Sequence, residues 1–258
     1  MKLRSAICLM LSVILSAACG HEIRQSEFKE FEIGDRKGGI YLPAGYSTDR
    51  IFPVIYMEDG LVFKECRFKH YIDSLVDFGI ISPVVIACSY ENKMKVPGTS
   101  LAFRNVEYIE SLSVSNDEFR QIFEDHYNYF NDSFIPYIER NYSVSDSRDG
   151  RIYFGTSNSA DFGITESFRN PSLFAEYWCY SPVYSDVSRY GMLKDKVSYR
   201  ICWGAKEEIG QFDYFPELLK DIRKRGGSVH SWVFDGGHER EWWTAWFIEE
   251  LSQRFAAK

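Results

Sequence analysis

The stretch Tyr153-Phe154-Gly155-Thr156-Ser157-Asn158-Ser159-Ala160 decides the fold, because it predicts a sharp turn from a buried strand into a helix. It nearly matches Gly-x-Ser-x-Gly, in which the residues two before and two after the serine must be small. Gly155 fills the first place, and Ser159 stands where glycine is usual. In such a turn the Ser157 hydroxyl points out of the sheet, at a helix N-terminus that favours developing negative charge. The alternative interpretation is an N-cap serine after a strand.

Apolar runs and helical patterns alternate on both sides of this turn. The apolar runs are 52–57, 82–88, 151–155, 174–180, 197–203 and 229–234, and helical spacing covers 116–140, 216–225 and 239–255. Continuous apolar runs of this length are typical of parallel strands covered on both faces. The alternation predicts an α/β fold with a mostly parallel central sheet, helices on both faces, and one domain over residues 28–258.

The composition excludes several function classes. The chain has 258 residues, of which 45% are hydrophobic, and its net charge is -7. This balance excludes a disordered chain, and the acidic charge argues against a nucleic-acid partner. No histidine pair has metal-ligand spacing, so we expect no bound metal. The cysteines Cys66, Cys88, Cys179 and Cys202 form no Cys-x-x-Cys motif, and the sequence does not choose a disulfide among them.

The first nineteen residues predict export. Lys2 and Arg4 precede an apolar stretch, 6–18, that is too short to span a bilayer, and small residues lead directly to Cys19. The segment 1–19 resembles a bacterial lipoprotein signal, in which lipidated Cys19 anchors the mature protein to a membrane. Ser16 stands where an aliphatic residue is usual, which leaves ordinary secretory cleavage open. Residues 20–27 are then expected to form a short polar tether, and the protein is expected to be membrane-anchored, periplasmic or secreted.

Residues downstream of the turn supply a base and an acid in the order Ser, Asp/Glu, His that a serine hydrolase of this type needs. His238 lies in the glycine-containing loop 234–239, after the last strand. Glu207 and Glu208 lie just past the preceding strand. Because open α/β sheets build their sites beyond the carboxyl ends of strands, these side chains are predicted to meet Ser157 there.

The order and spacing of these segments resemble the putative-esterase branch of the α/β-hydrolases over residues 28–256. That branch includes enterochelin esterases, S-formylglutathione hydrolase, feruloyl and acetyl-xylan esterases, and mycolyltransferases. The segments that carry the resemblance are 41–46, 52–57 with Asp59-Gly60-Leu61, Arg104 with Glu107-Tyr108, the turn at Ser157, Gly204-x-x-Glu207, and Gly236-Gly237-His238 with Trp243.

The resemblance implies a role for each matching residue. Ser157 looks like the nucleophile, and His238 like the general base and then acid. Glu207 occupies the acid position, where the family most often has Asp, and Glu208 is the fallback. The backbone N–H groups of Asn158 and Leu61 would form the oxyanion hole. No cofactor is implied.

The sequence indicates more loosely what four further residues do. Arg104 is expected to pair with Glu107 or clasp a loop, and it could instead meet an anionic substrate group. Trp243 could shoulder His238 and contact substrate. Asp161 is either exposed or crowds the site near His238. Ser159 is expected to pack at the helix–strand contact.

Three functions remain in competition. The first is an exported hydrolase of small-molecule or glycan esters such as siderophore, sugar, feruloyl or acetyl esters. The second is an acyltransferase on the same residues, and the third is a hydrolase-fold lipoprotein that binds a ligand without turnover. Residues 91–115 form a long polar loop of the kind that often covers a site.

Overall fold

A computed structural model of the chain describes residues 25–114, 116–208 and 214–257. The predicted signal 1–19 with Cys19, and the tether 20–27 up to residue 24, lie outside the described residues and stay predictions. None of the helices in the described ranges is long and apolar enough to cross a membrane.

One sheet is formed by eight strands of the described residues: β1 (Glu27–Ile33), β2 (Arg36–Leu42), β3 (Val54–Met57), β4 (Val85–Ser89), β5 (Arg151–Thr156), β6 (Glu176–Tyr180), β7 (Ser198–Gly204) and β8 (Ser228–Phe234). The strand order is β1-β2-β4-β3-β5-β6-β7-β8. β2 is antiparallel to both its neighbours, and every pair from β4 to β8 is parallel. The prediction of a mostly parallel central sheet is confirmed, and the six predicted strands end within three residues of the observed ones.

The two strands at the N-terminal edge, β1 and β2, have no counterpart among the predicted strands. β1 alternates charged and apolar residues, and β2 contains Gly38 and Gly39, over which the rings of Phe31 and Phe28 of β1 lie. Neither strand is a continuous apolar run. A pattern suited to buried parallel strands therefore misses them.

The helices of the described residues follow the strands. They are α1 (Leu61–Glu65), α2 (Phe68–Asp77), α3 (Phe103–Tyr108), α4 (Asp117–Asn128), α5 (Ile135–Asn141), α6 (Asn158–Arg169), α7 (Tyr214–Lys224) and α8 (Arg240–Arg254). Short 3-10 helices cover Glu110–Ser113 and Arg148–Gly150. The predicted helices at 216–225 and 239–255 are confirmed as α7 and α8.

The structure corrects two predictions about the middle of the chain. The helix predicted over 116–140 is interrupted by a π-helical segment, Tyr129–Phe134, between α4 and α5. Pro136 lacks the N–H that an α-helix directs to the carbonyl four residues earlier, and the widened segment accommodates it. The predicted loop 91–115 contains α3, because Val106 and Tyr108 are buried and fix a helical turn there.

Alternating side chains of the strands build two cores, one on each face of the sheet. In β3, Val54 and Tyr56 pack into the core that includes Phe123 and Phe162 from α4 and α6. Ile55 and Met57 pack into the other core, with side chains from α1, α2 and α8. With both faces covered, side chains reach solvent at the strand ends, and the loops after β3, β4, β5, β7 and β8 share one edge.

Candidate active site

Ser157 lies on a strained turn between β5 and α6. Its backbone has φ 56° and ψ -126°, in the positive-φ region that non-glycine residues seldom adopt. A Cβ at Gly155 would lie 2.4 Å from the carbonyl oxygen of Ser159, so glycine is required there. The observed conformation is that of a nucleophile elbow.

The side chains of Ser157, His238 and Glu207 form one chain of hydrogen bonds. Oγ of Ser157 lies 2.9 Å from Nε2 of His238, and Nδ1 of His238 lies 2.9 Å from Oε2 of Glu207. An ionised carboxylate only accepts, so the proton belongs on Nδ1 and the free lone pair of Nε2 faces the serine. The structure thus brings together three side chains that are far apart in sequence, in the order their predicted roles require.

Glu207 is buried and fully hydrogen-bonded. Its side chain is 1% exposed, and Oε1 accepts hydrogen bonds from the Ser181 hydroxyl and the Gly204 N–H, each at 2.6 Å. Burial by itself would raise the pKa of this carboxyl, but the hydrogen bonds from His238, Ser181 and Gly204 outweigh it and hold the pKa below its usual value. Glu207 is therefore ionised at neutral pH, as a partner of His238 must be.

Glu208, the fallback acid, points to solvent, and within the described ranges the structure gives it no hydrogen bond to His238. The backbone turn after β7 determines that Glu207, and not the adjacent Glu208, reaches His238. A Cβ at Gly204 would lie 2.2 Å from the carbonyl oxygen of Gly236, which shows how closely the two loops approach. This contact sets Glu207 against the histidine loop.

Ser181 and Trp243 support the acid from behind. The indole N–H of Trp243 donates to Oγ of Ser181 at 2.9 Å, and its ring meets that of His238 edge to face, with centroids 4.7 Å apart. Trp243 thus shoulders His238, as predicted. Ser181 was not predicted; the signal for it is a serine directly after the end of β6. Both residues restrict how Glu207 and His238 can move.

The two predicted oxyanion donors differ in whether their N–H groups are already hydrogen-bonded. The N–H of Asn158 begins α6, and the described residues offer it no acceptor. The N–H of Leu61 donates to Oε2 of Glu91 at 3.4 Å. The turn that carries Leu61 is held in place, since the N–H of Gly60 donates to the carbonyl of Ser89 at 2.7 Å.

A cleft of about 340 Å³ opens over Ser157 and His238. The His238 side chain is 33% exposed, so a substrate can reach it. The cleft is lined by Asp59, Val62, Glu91, Lys93, Arg104, Thr156, Ser157, His238, Arg240 and Trp243. Arg104 and Trp243, the two predicted substrate contacts, both belong to this lining. Their contact with substrate stays a prediction.

The predicted pairing of Arg104 with Glu107 is wrong. Arg104 binds both carboxylate oxygens of Asp59, which has φ 56° and leads into the Leu61 turn. Glu107 pairs instead with Arg36 at 2.9 Å. A planar guanidinium suits bidentate contact with a carboxylate, and Arg104 thereby clasps the turn that carries one oxyanion donor.

Ser159 is buried, as predicted, and forms hydrogen bonds. Its Oγ accepts from the N–H of Thr156 at 2.8 Å and lies 2.9 Å from Oδ2 of Asp59. A serine thus fits where glycine is usual, because its hydroxyl has polar partners. It links the elbow to the Asp59 turn.

Asp161 neither faces solvent nor crowds His238, so that prediction is wrong. Its carboxylate accepts the N–H groups of Val183 and Tyr184 at 3.1 and 3.0 Å, and the Ser185 hydroxyl. Burial raises its pKa to about 6, against the opposing effect of these hydrogen bonds. Asp161 therefore holds the loop after β6 and leaves the catalytic cleft free.

Cys66, Cys88, Cys179 and Cys202 are free thiols. His126 is a buried histidine, with Nε2 3.2 Å from Oε1 of Glu58. Within the described ranges, no group of histidine, cysteine and acidic side chains could hold a metal ion.

Taken together, the strand order, the elbow and the hydrogen-bonded side chains define the class of α/β-hydrolases. Residues 33–213 match the model of the Putative esterase family. The chain belongs to this family, which confirms the resemblance found in the sequence. Membership supports a carboxylic-ester hydrolase.

Known proteins agree with this placement. The protein YbbA of Bacillus subtilis is 26% identical over 157 residues, which is 59% of this chain and 58% of that protein. A ferulic acid esterase structure has a TM-score of 0.68 at 19% identity, covering 89% of this chain and 98% of its own. A fluorophosphonate-binding serine hydrolase of Staphylococcus aureus has a TM-score of 0.62 at 10% identity, covering 89% and 98%. At these identities the structural likeness establishes the fold.

Proposed function

We propose that the protein is a serine esterase that cleaves carboxylic esters through an acyl-enzyme on Ser157. The observation that carries the proposal is the continuous hydrogen-bond chain from Ser157 through His238 to Glu207 at the floor of an open cleft. Nucleophile, base and orienting acid in such contact are the requirement for covalent acyl transfer.

In the first half-reaction, Oγ of Ser157 forms a bond to the ester carbonyl carbon and its proton passes to Nε2 of His238. The carbonyl π pair moves onto oxygen, and the N–H groups of Asn158 and Leu61 stabilise that charge. When that electron pair re-forms the carbonyl double bond, the bond between the carbonyl carbon and the alcohol oxygen breaks. His238 then gives its proton to the departing alcohol oxygen. Water repeats the sequence on the acyl-enzyme and releases the acid. Glu207 keeps the His238 ring oriented and stabilises its protonated form.

For the substrate we propose an ester on a small molecule or glycan, of the siderophore, sugar, feruloyl or acetyl kind. The similarity to a ferulic acid esterase supports the aromatic ester within this set. A cleft of about 340 Å³ is suited to a single acyl group with part of its alcohol.

The experiment is hydrolysis of methyl ferulate and of p-nitrophenyl acetate by the purified protein, wild type against Ser157→Ala. The proposal expects release of the acid from at least one ester and loss of about three orders of magnitude or more in kcat with the variant. Equal rates in both proteins would contradict it. Adding a sugar or alcohol acceptor and measuring its acylation tests for transfer in place of hydrolysis.

We also propose that the protein is exported and held at a membrane through Cys19. The support is sequence alone: the charged start, the apolar stretch 6–18 and the small residues before Cys19. In bacterial cells the wild type is expected in the membrane fraction, and Cys19→Ala is expected to leave it. Identical fractionation would contradict the anchor.

A further inference from the structure

Glu91 contacts the oxyanion donor at Leu61 although neither the elbow nor the hydrogen-bonded triad uses it. It lies two residues after the end of β4, and its side chain is only 2% exposed. One carboxylate oxygen accepts the N–H of Leu61 at 3.4 Å, and the other lies 3.0 Å from Nζ of Lys93. A buried carboxylate thus lines the cleft and contacts one of the two proposed oxyanion donors.

The backbone on both sides of Glu91 is fixed, so this placement is built into the fold. The N–H of Tyr90 donates to the carbonyl of Lys37 at 3.0 Å, and the N–H of Arg104 donates to the carbonyl of Asn92 at 2.9 Å. These bonds join the residues before and after Glu91 to β2 and α3.

A single N–H cannot serve two strong acceptors at full strength. While the ionised Glu91 carboxylate accepts from Leu61, an ester carbonyl has to displace it to gain that donor. An ionised carboxylate a few ångströms from the developing oxyanion also repels it, in a site shielded from water. A protonated carboxyl holds the N–H more weakly, so an ester oxygen displaces it more easily, and its O–H can itself donate to the oxyanion.

We propose that Glu91 controls the rate at the oxyanion site. Its ionised form opposes turnover, and its protonated form permits turnover. This inference rests on the proposed function, because it concerns the oxyanion of the same acyl transfer. It gives a role to a carboxylate outside the His238–Glu207 pair.

The surroundings of Glu91 favour protonation above the usual carboxyl range. Burial, and then the nearby charge of Asp59, raise the pKa of Glu91, and the partner Lys93 only partly opposes them. The charged and titratable groups around Glu91 are Cys88 and Tyr90 at the end of β4, Asp59 beyond β3, Lys93 on its own loop, and Arg104 and Tyr108 from α3. Arg104 is already engaged by Asp59, so Lys93 is the cation in contact with Glu91.

The test is kcat/KM of wild type and Glu91→Gln between pH 5 and pH 8.5, expressed as a ratio of variant to wild type. The ratio cancels those effects of pH on the reaction that both proteins share. Glutamine keeps the volume and can still accept the Leu61 N–H, but it carries no charge. We expect the variant to be faster by about tenfold at pH 8.5, with the ratio falling towards one at acidic pH. A ratio that is independent of pH, or below one at pH 8.5, would overturn the proposal.

Glu65→Gln is the matched control, because Glu65 also lies beside Lys93, at 3.5 Å, but does not contact Leu61. Its ratio to wild type is expected to stay constant with pH. Glu91→Ala is a second variant, which removes the carboxylate altogether, and melting curves show which variants are folded. If neither folds, the wild-type profile decides. A fall in kcat/KM with rising pH anywhere between pH 5 and pH 8.5 supports the proposal, and a profile with no such fall overturns it.

These outcomes are separable from failure of the proposed function. If Ser157→Ala hydrolyses esters as fast as wild type, the esterase proposal fails and the ratio has no meaning. If Ser157→Ala is inactive and the ratio is flat, the esterase proposal stands and the role of Glu91 falls.

Discussion

At the scale of single residues, the site depends on which of two adjacent carboxylates meets His238. Glu207 accepts three hydrogen bonds in a buried position, whereas Glu208 faces solvent. The lowered pKa of Glu207 follows from those hydrogen bonds, which outweigh its burial. A carboxylate that stays ionised fixes the histidine tautomer, and that is what the nucleophile needs.

The first prediction separates these two residues by mutation. Glu207→Gln replaces the acceptor of the His238 N–H with an amide and disfavours the productive tautomer, so kcat should fall by about three to four orders of magnitude. Glu208→Gln should stay within about twofold of wild type, since an exposed carboxylate contributes little. Steady-state rates on one ester measure both. Equal small losses would count against Glu207.

Several residues of the site were predictable from sequence because each lies within four residues of a strand end and within three of a glycine. Ser157, Glu207 and His238 belong to this group. Ser181 and Glu91 were missed, since a lone serine or glutamate after a strand has no spacing that distinguishes it. The predicted partner of Arg104, Glu107, was wrong, because Arg104 binds Asp59, which lies 45 residues away. Sequence spacing favours a neighbour on the same helix, and tertiary geometry decides otherwise.

At the scale of elements, helix α6 combines catalytic and buried charged positions. It begins directly after the strained Ser157, and most of its residues are buried. Glu166 lies near its end, where a carboxylate oxygen accepts from Asn131 at 3.1 Å. Burial raises the pKa of Glu166 to about 8, against the opposing effects of Asn131 and Arg169. A buried carboxyl of this kind is largely protonated at neutral pH.

This pKa predicts how stability depends on pH. A carboxyl whose pKa is higher in the folded than in the unfolded chain stabilises the fold below its unfolded value, and that contribution is lost as pH rises through about 8. For one group the slope reaches about 1.4 kcal/mol per pH unit. The free energy of unfolding of wild type, measured with urea, should fall from pH 5 to pH 8. In Glu166→Gln it should fall less steeply over the same range.

Glu118→Gln is the control for this experiment, because Glu118 is an exposed carboxylate on α4. Its unfolding free energy should follow the wild-type slope across the same range. Identical slopes for wild type and Glu166→Gln would show that Glu166 does not titrate in this range.

Strands were predicted better than the helices between them. Buried parallel strands have continuous apolar runs, so six of them were found within three residues. β1 and β2 depend on the packing of two phenylalanines over two glycines, and α3 depends on burial within a polar segment. These contacts form only in the folded chain, so the local pattern does not contain them.

At the scale of the whole molecule, the parallel sheet brings five loops to one edge. The loops after β5, β7 and β8 carry Ser157, Glu207 and His238, and those after β3 and β4 carry Leu61 and Glu91. The helices on both faces leave this edge open as the place for a cleft. Ser157, His238 and Glu207 therefore form one hydrogen-bonded chain although they are distant in sequence.

The most direct measurement of the central claim is covalent labelling of the purified protein with a fluorophosphonate, followed by intact mass and peptide mapping. The account predicts one adduct per chain, on Ser157, and its complete loss in Ser157→Ala. It also predicts strongly slowed labelling in His238→Ala, because the hydroxyl then lacks its base. An adduct that persists in folded Ser157→Ala, or that maps to another residue, would contradict the account.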